Sequence, residues 1–200
     1  MAASKIVAIT IFALNTYMKI GLSKSIIHHE GSVYDAVDQG WYDILKGHNL
    51  FCIPNTLNQD FNVMANDLDS LILTGEGYSD QRREVEQTLV NKMVERNKPV
   101  VGIASGAFEI AESIGGELKD IEKHFDINHP IFYHREVLEV NSHHHGKCIK
   151  SLPSSASVLC LDYLGNIESF TCGNLAGIVW NPEKMDKPWI PPEIAYMLRI

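Results

Sequence analysis

No apolar run in these 200 residues approaches the roughly 18 that a membrane-spanning helix needs. The longest, such as Ile6 to Ile9 and Pro99 to Ala104, have the length of strands. No small-residue cleavage site follows the short run after Lys5, so no secretory leader is expected. Basic residues are outnumbered, with 17 Lys and Arg against 25 Asp and Glu, a formal charge of −8 and a pI near 5.5. A chain with that balance is poorly suited to hold a polyphosphate, so nucleic acid is not an expected partner, nor is a membrane. Cysteine is sparse: Cys52, Cys148, Cys160 and Cys172 show no C-x-x-C spacing and read as reduced thiols of a cytoplasmic protein rather than as disulfides or metal ligands. Internal repeats and low-complexity stretches are missing too. What is present, 45% hydrophobic and 21% charged residues at a mean hydropathy of −0.07, describes one globular domain over residues 1–200, with 185–200 as a C-terminal tail.

Lys5 to Ile11 reads as a first strand, and Asn15 to Gly31 shows no resolvable period. A helix is predicted from Ser32 to Gly47: Ser32 is a good N-cap, Asp35 and Asp38 suit its N-terminal half, and Val33, Val37, Trp41, Ile44 and Leu45 recur at helical spacing. Strands follow at Asn49–Ile53 and Asp69–Thr74, then an amphipathic helix at Asp80–Asn97 with Val85, Leu89, Met93 and Val94 on its apolar face. Its Arg82, Arg83, Lys92 and Arg96, interleaved with Glu84, Glu86 and Glu95, read as a solvated face. Lys98–Ile103 is a near-continuous apolar strand of the kind buried on both sides of a parallel sheet, and Ala107–Ile114 is a helix closed by Gly115-Gly116. Short strands then return at Val137–Asn141, Ser157–Leu161, Ile167–Thr171 and Ala176–Trp180. The pattern predicts an α/β three-layer sandwich, a mostly parallel central sheet with helices on both faces.

Chemistry is expected at Gly102-Ile103-Ala104-Ser105-Gly106, where a buried strand turns straight into a helix between two glycines. Such a turn is a nucleophile elbow: its apex holds an unusual backbone angle and points a side chain into a cleft, while the following helix offers N–H groups to an oxyanion. Here the apex is Ala104, which carries no reactive group.

With these stretches in order, the chain resembles the class I glutamine amidotransferase-like family, a flavodoxin-like fold, and within it the gamma-glutamyl-gamma-aminobutyrate hydrolase branch. The resemblance is carried by Asp35-Ala-Val-Asp-Gln-Gly-Trp41, Leu68-Asp-Ser-Leu-Ile-Leu-Thr-Gly75, Lys98 to Gly106 with Gly115-Gly116, Val140-Asn-Ser-His-His-His145 and Gly177-Ile-Val-Trp-Asn-Pro-Glu183, over roughly residues 33 to 185. It implies gamma-glutamyl amide hydrolysis by a Cys-His-Glu triad, with no cofactor and with a small gamma-glutamyl ligand or a protein partner. It also implies a ligand pocket formed by Gly75, Glu76, Ser105, Gly106, Ser142, His143 and His144.

The departures are as informative. Where the family has its nucleophilic Cys the chain has Ala104, and where it has the general base His the chain has Asn181, with Glu183 retained. Neither Ala nor Asn can form a thiolate or shuttle its proton, and losing such a group typically costs on the order of 10⁶ in turnover. Glu76 replaces a glycine of the family's oxyanion loop and would repel a developing oxyanion. The expectation is a pseudoenzyme acting through binding or assembly. Two alternatives stay open: an active gamma-glutamyl hydrolase or glutaminase whose nucleophile has been replaced, which would not account for Asn181, and a structural or interaction component of a larger complex. Ser105 is expected to contribute its backbone N–H, since its side chain should face away from the apex. His143, His144 and His145 cannot all reach one ion from an extended segment, so they read as pocket lining or surface rather than a metal site. His28, His29, His124 and His129 read as surface or loop histidines, and Gly75-Glu-Gly77 is too short for a dinucleotide fingerprint. The proline-rich tail, with Ile194, Tyr196, Met197 and Leu198, either packs on its own domain or serves a partner.

Overall fold

The computed structural model describes residues 17–75, 79–122, 126–142 and 146–200. The expected strand at Lys5–Ile11, together with Glu76, Gly77, His124, His143, His144 and His145, lies outside them.

The described chain opens with β1 (Lys19–Ser23), a hairpin of β2 (Ser25–His29) and β3 (Ser32–Ala36), and a short helix α1 (Gly40–Ile44). Strands and helices then alternate: β4 (Asn49–Ile53), α2 (Phe61–Asp67), β5 (Ser70–Leu73), α3 (Asp80–Glu95), β6 (Val100–Ile103) and α4 (Ser105–Ser113). After these come β7 (Glu117–Asp120), β8 (Ile127–Tyr133), β9 (Glu136–Ser142), β10 (Lys147–Ser151), β11 (Ser157–Asp162), β12 (Ile167–Cys172) and β13 (Leu175–Ile178). A 3-10 turn at Pro182–Lys184 and helix α5 (Pro192–Leu198) end the chain.

The main sheet runs β4-β1-β5-β6-β13-β12-β11-β8-β9, with β10 and β7 paired beside β12. From β4 to β13 the strands are parallel, and beyond β13 they are antiparallel. Their near-continuous apolar character follows from burial on both faces. Ile72, Val101 and Ile103 pack into one core with Trp41, Leu45, Ile194 and Leu198, while Leu71, Leu73 and Val100 pack into a second core with α2, α3 and α4. Helices therefore cover both faces, as the α/β reading expects. Local caps set their ends: Asp60 Oδ1 accepts from the N–H groups of Asn62 and Val63, and Ser79 Oγ accepts from that of Arg82.

Two expectations are corrected, and the alternative left open for the tail is resolved. Residues 32–47 are not one helix: Ser32–Ala36 is a strand paired antiparallel with β2, and only Gly40–Ile44 is helical, so Asp35 and Ala36 do not belong to a first helix. The stretch without a legible period holds β1 and β2. Glu30 and Gly31, with φ of 49° and 77°, make the two-residue turn whose left-handed pair suits strand twist. Asp35 holds the hairpin down rather than capping a helix, its carboxylate accepting from Asn55 N and Nδ2 at 3.0 and 2.8 Å. On α3 the solvated face is interrupted, because Arg82 and Glu86 are buried as an ion pair, whereas Val94 is exposed. The tail packs on its own domain: Ile194 and Leu198 are buried in the first core, and Trp189 stacks on Trp180 with ring centroids 5.5 Å apart.

Candidate functional site

The elbow predicted from glycine spacing is formed as a strand-to-helix turn. Ala104 sits between β6 and α4 at φ 48° and ψ −109°, a conformation that L-residues adopt under strain. Close approach accounts for the flanking glycines. A Cβ on Gly102 would stand 2.3 Å from Gly106 O, and one on Gly106 would stand 2.8 Å from Leu73 Cβ. The turn is pinned by Ala104 N donating to Ile178 O at 2.8 Å, so β13 fixes the apex from the side. Ser105 and Gly106, as the first turn of α4, direct N–H groups that have no intrahelical acceptor. The Ser105 side chain is exposed.

Ala104 and Asn181 are brought together around Gly75. A Cβ on Gly75 would lie 2.7 Å from Ala104 Cβ and 2.7 Å from Asn181 Nδ2, so only glycine fits there. Asn181 is fully buried. Its Nδ2 donates to Glu183 Oε1 at 2.8 Å, which leaves Asn181 Oδ1 and Glu183 Oε2 buried without partners among the described residues. Burial pushes the Glu183 carboxyl up to about 7, against the lowering effect of the Asn181 amide, and the Asp38 carboxylate adds to the rise. A residue not singled out from sequence holds this turn: Asn141 Oδ1 accepts from Asn181 N and Asn141 Nδ2 donates to Asn181 O, both at 2.8 Å. Ser142, expected in the ligand pocket, is the buried last residue of β9 beside it.

Thr74, the residue before Gly75, is fixed by a second network that sequence reading missed. Thr74 N donates to Ser23 Oγ at 2.9 Å and Thr74 Oγ1 donates to Ser23 O at 2.8 Å. Arg82 Nη2 donates to Thr74 O, and Arg82 Nε and Nη2 each lie 2.9 Å from Glu86 Oε1. A buried guanidinium thus ties the β5 exit to α3. Its only sequence signal was an Arg-x-x-x-Glu spacing, which is equally common on solvated faces.

Beside this floor lies a cavity of about 320 Å³, walled by Ile27 and Ala36 of the hairpin, Val37, Trp41, Gly75 and Glu183. Trp41 Nε1 is buried without a partner among the described residues. Asp38 and Lys184 also line the cavity, so with Glu183 it carries two carboxyl groups and one ammonium group, the last lowered in pKa by burial.

Away from the elbow, His129 is 3% exposed rather than a surface histidine, with Nε2 3.9 Å from Glu168 Oε2. Glu168 is fully buried, and that burial holds its carboxyl well above the usual range. Of the four cysteines, which form no disulfide, Cys148 and Cys160 are core residues, Cys52 is exposed and Cys172 half-buried. Burial pushes the Cys160 thiol up to about 12. Among the described residues no group of three or more His, Cys, Asp or Glu side chains is placed to hold a metal ion. Nor is any helix among them long and apolar enough to cross a membrane.

Known proteins share this architecture. A gamma-glutamyl-CDP-amidate hydrolase of Campylobacter jejuni subsp. jejuni serotype O:2 is 27% identical over 185 residues, covering 84% of this chain and 90% of that protein. Among solved structures, a putative GMP synthase protein of Thermoplasma acidophilum superposes with a TM-score of 0.69 at 17% identity, over 91% of this chain and 92% of its own. A glutamine amidotransferase of Thermotoga maritima gives 0.64 at 16% identity, over 84% and 76%. These structural likenesses show that the chain shares the fold of those proteins. The Peptidase C26 family matches residues 72–183, a span that starts inside β5, contains the elbow and ends at Glu183. Since that span is more than half of the sequence and holds Gly75, Ala104 and Asn181 in their observed arrangement, this chain belongs to the Peptidase C26 family.

Proposed function

We propose that this protein is a gamma-glutamyl hydrolase-like domain of the Peptidase C26 family that has lost amidase chemistry and acts by binding, in the cytoplasm. One observation carries the reading: the side chain at the elbow apex is the methyl of Ala104, and the polar group brought beside it is the carboxamide of Asn181. A methyl cannot attack a carbonyl, and a carboxamide neither accepts nor releases a proton near neutral pH. Glu183, which would orient a base, instead accepts from Asn181 Nδ2. The remaining equipment suits binding: N–H groups at the start of α4, a Thr74 backbone held by Ser23 and Arg82, and a cavity alongside. The relative that acts on a gamma-glutamyl-CDP-amidate supports a small gamma-glutamyl compound as the ligand.

The test is purified protein incubated with L-glutamine and with gamma-glutamyl-p-nitroanilide, measuring released glutamate and p-nitroaniline. Neither is expected above the blank. Release at enzyme-like rates that falls in Glu183→Gln would overturn the reading. The pair Ala104→Cys and Asn181→His is expected to gain turnover that neither single variant shows, because the two groups act as a unit.

A role as a component of a larger assembly is the second reading, favoured by the complete burial of Asn181 and the 4% exposure of Ala104, which leave little floor for a ligand to touch. Calorimetric titration with glutamine and glutamate separates the two, since an assembly role predicts no saturable heat.

A further inference from the structure

Among the described residues, three strands of the main sheet have only one neighbour: β4, β9 and β7. An edge strand presents unpaired N–H and C=O groups to any strand that approaches, and proteins commonly guard it with charge. β9 carries Glu136 and Glu139, and β7 carries Glu117, Lys119 and Asp120. β4, Asn49-Leu-Phe-Cys-Ile53, carries no charged residue. Nor does any position from Gly47 to Gln59, in a chain that is 21% charged.

The β4 edge is also ordered for pairing. Asn49 N donates to Met18 O at 2.9 Å, and the parallel register runs unbroken from Lys19 with Asn49 to Ser23 with Ile53. Alternate residues of a strand turn their backbone groups to opposite sides, so Asn49, Phe51 and Ile53 face β1. Leu50 and Cys52 turn their N–H and C=O outward, where no strand among the described residues meets them. The side chains alternate between the faces of the sheet. Ile53 belongs to the core shared with α2, which puts Phe51 on that face, 46% exposed. Leu50 packs against the other core, which puts Cys52 on the face of α1, its thiol 3.7 Å from the Tyr42 hydroxyl.

A second copy of this chain supplies the complement. Two β4 strands laid antiparallel about a two-fold axis at Phe51 place Leu50 of each copy opposite Cys52 of the other. Every outward N–H then meets an outward C=O, with none left over. The two Phe51 side chains form the close, non-hydrogen-bonded pair, and aromatic cross-strand pairs are stabilising. Charge favours the same occupant. Two molecules of charge −8 repel, and an uncharged edge is where that repulsion is least, whereas β9 paired with itself would bring its glutamates into one ladder. The first charges beyond the uncharged stretch are Lys46 before it and Asp60 after it, and the antiparallel arrangement sets the Lys46 end of each copy toward the Asp60 end of the other.

We propose that two copies of this chain associate through β4, antiparallel and centred on Phe51, joining their main sheets into one. β4 lies three strands from β6, so the pairing is independent of whether the elbow hydrolyses or only binds.

Sedimentation velocity of the full chain, diluted from about 1 mM to about 1 µM, is expected to show a dimer giving way to the 22.4 kDa monomer. Phe51→Glu sets two carboxylates face to face at an exposed position and is expected to raise the dissociation constant about ten-fold or more. Phe51→Lys should do the same. An equimolar mixture of the two variants should recover the dimer, a recovery that misfolded variants would not show. Cross-linking with bismaleimidoethane reads the register. The two Cys52 residues fall on one face as diagonal neighbours roughly 7–8 Å apart, too far for a disulfide but within reach of that reagent. A covalent dimer is therefore expected, and Cys52→Ser should abolish it. A chain that stays monomeric throughout overturns the proposal, the edge then being left to residues 1–16 or to another protein. So does a dimer that Phe51→Glu leaves intact, a mixture that recovers nothing, or a cross-link that is absent or survives Cys52→Ser, since each moves the contact away from this register.

Discussion

Replacing Glu183 by Gln should stabilise this protein at neutral and alkaline pH and do little in acid. The carboxyl is buried against the Asn181 amide, and burial lifts it from an ordinary 4.5 to about 7. The folded state therefore keeps a proton that the unfolded chain releases between those values. Stability from this group is fully present below pH 4.5, falls as pH rises toward 7, and is flat above. The full difference is about 3 kcal/mol, of which about 1 kcal/mol has already been lost at pH 5. Gln cannot ionise, retains an oxygen for Asn181 Nδ2, and adds an N–H that Asn181 Oδ1, unpartnered in the parent, can accept. Urea unfolding followed by tryptophan fluorescence at pH 5, 6, 7 and 8.5 reads the effect. Subtracting the parent from the variant at each pH removes the contributions of Glu109, also raised to about 7 by burial, and of Glu168. The variant should lead by about 1 kcal/mol at pH 5 and by about 3 kcal/mol at pH 8.5. A difference that stays constant with pH, or a variant less stable at pH 8.5, would refute the argument that a buried and poorly paired carboxylate sits at the centre of the site.

The other predictions concern the parts that hold the site. Ala104→Val places a β-branched residue at φ 48° against Gly75 and should cost about 2 kcal/mol in chemical denaturation, whereas Ala104→Cys should cost much less. Arg82→Met strands the buried Glu86 carboxylate and should cost about 3–5 kcal/mol. Adding Glu86→Leu should restore most of that loss, and a double variant as unstable as the single would show that the ion pair is not the cause. Asn141→Ala leaves the Asn181 N–H buried without its acceptor and the Asn181 C=O with only the Lys184 N–H, and thermal unfolding should report a loss of about 1–3 kcal/mol.

Much of the site was legible in the sequence because its requirements are local. The elbow needs an apolar strand, an apex and glycines where backbones nearly touch, and all of these fall within Val100 to Gly106. The alanine at the apex and the asparagine before Pro182-Glu183 are legible in the same way, since the chemistry of a single side chain needs no geometry to be noticed. Residues 32–47 misled for an equally local reason. Ser32, Asp35 and the spacing of Val33, Val37 and Trp41 satisfy a helix start, yet the segment pairs with Ser25–His29 across a two-residue turn. Ser25-Ile-Ile-His-His-Glu-Gly-Ser-Val-Tyr34 did hold a hairpin signal, β-branched residues either side of a glycine turn, but without the Asn-Gly or Asp-Gly that makes it strong.

From its sequence alone this chain has the alternating order of a three-layer α/β sandwich, the elbow at its parallel strand, and an alanine at the elbow's apex. Apolar periodicity and the chemistry of single residues suffice for that. Tertiary structure alone decided that Arg82 is a buried strut, that Asn141 clamps Asn181, that His129 faces Glu168, and that a hairpin roofs a cavity beside Gly75. Each joins residues distant in the chain, or turns on whether a polar side chain faces water or core, and local sequence does not carry that information.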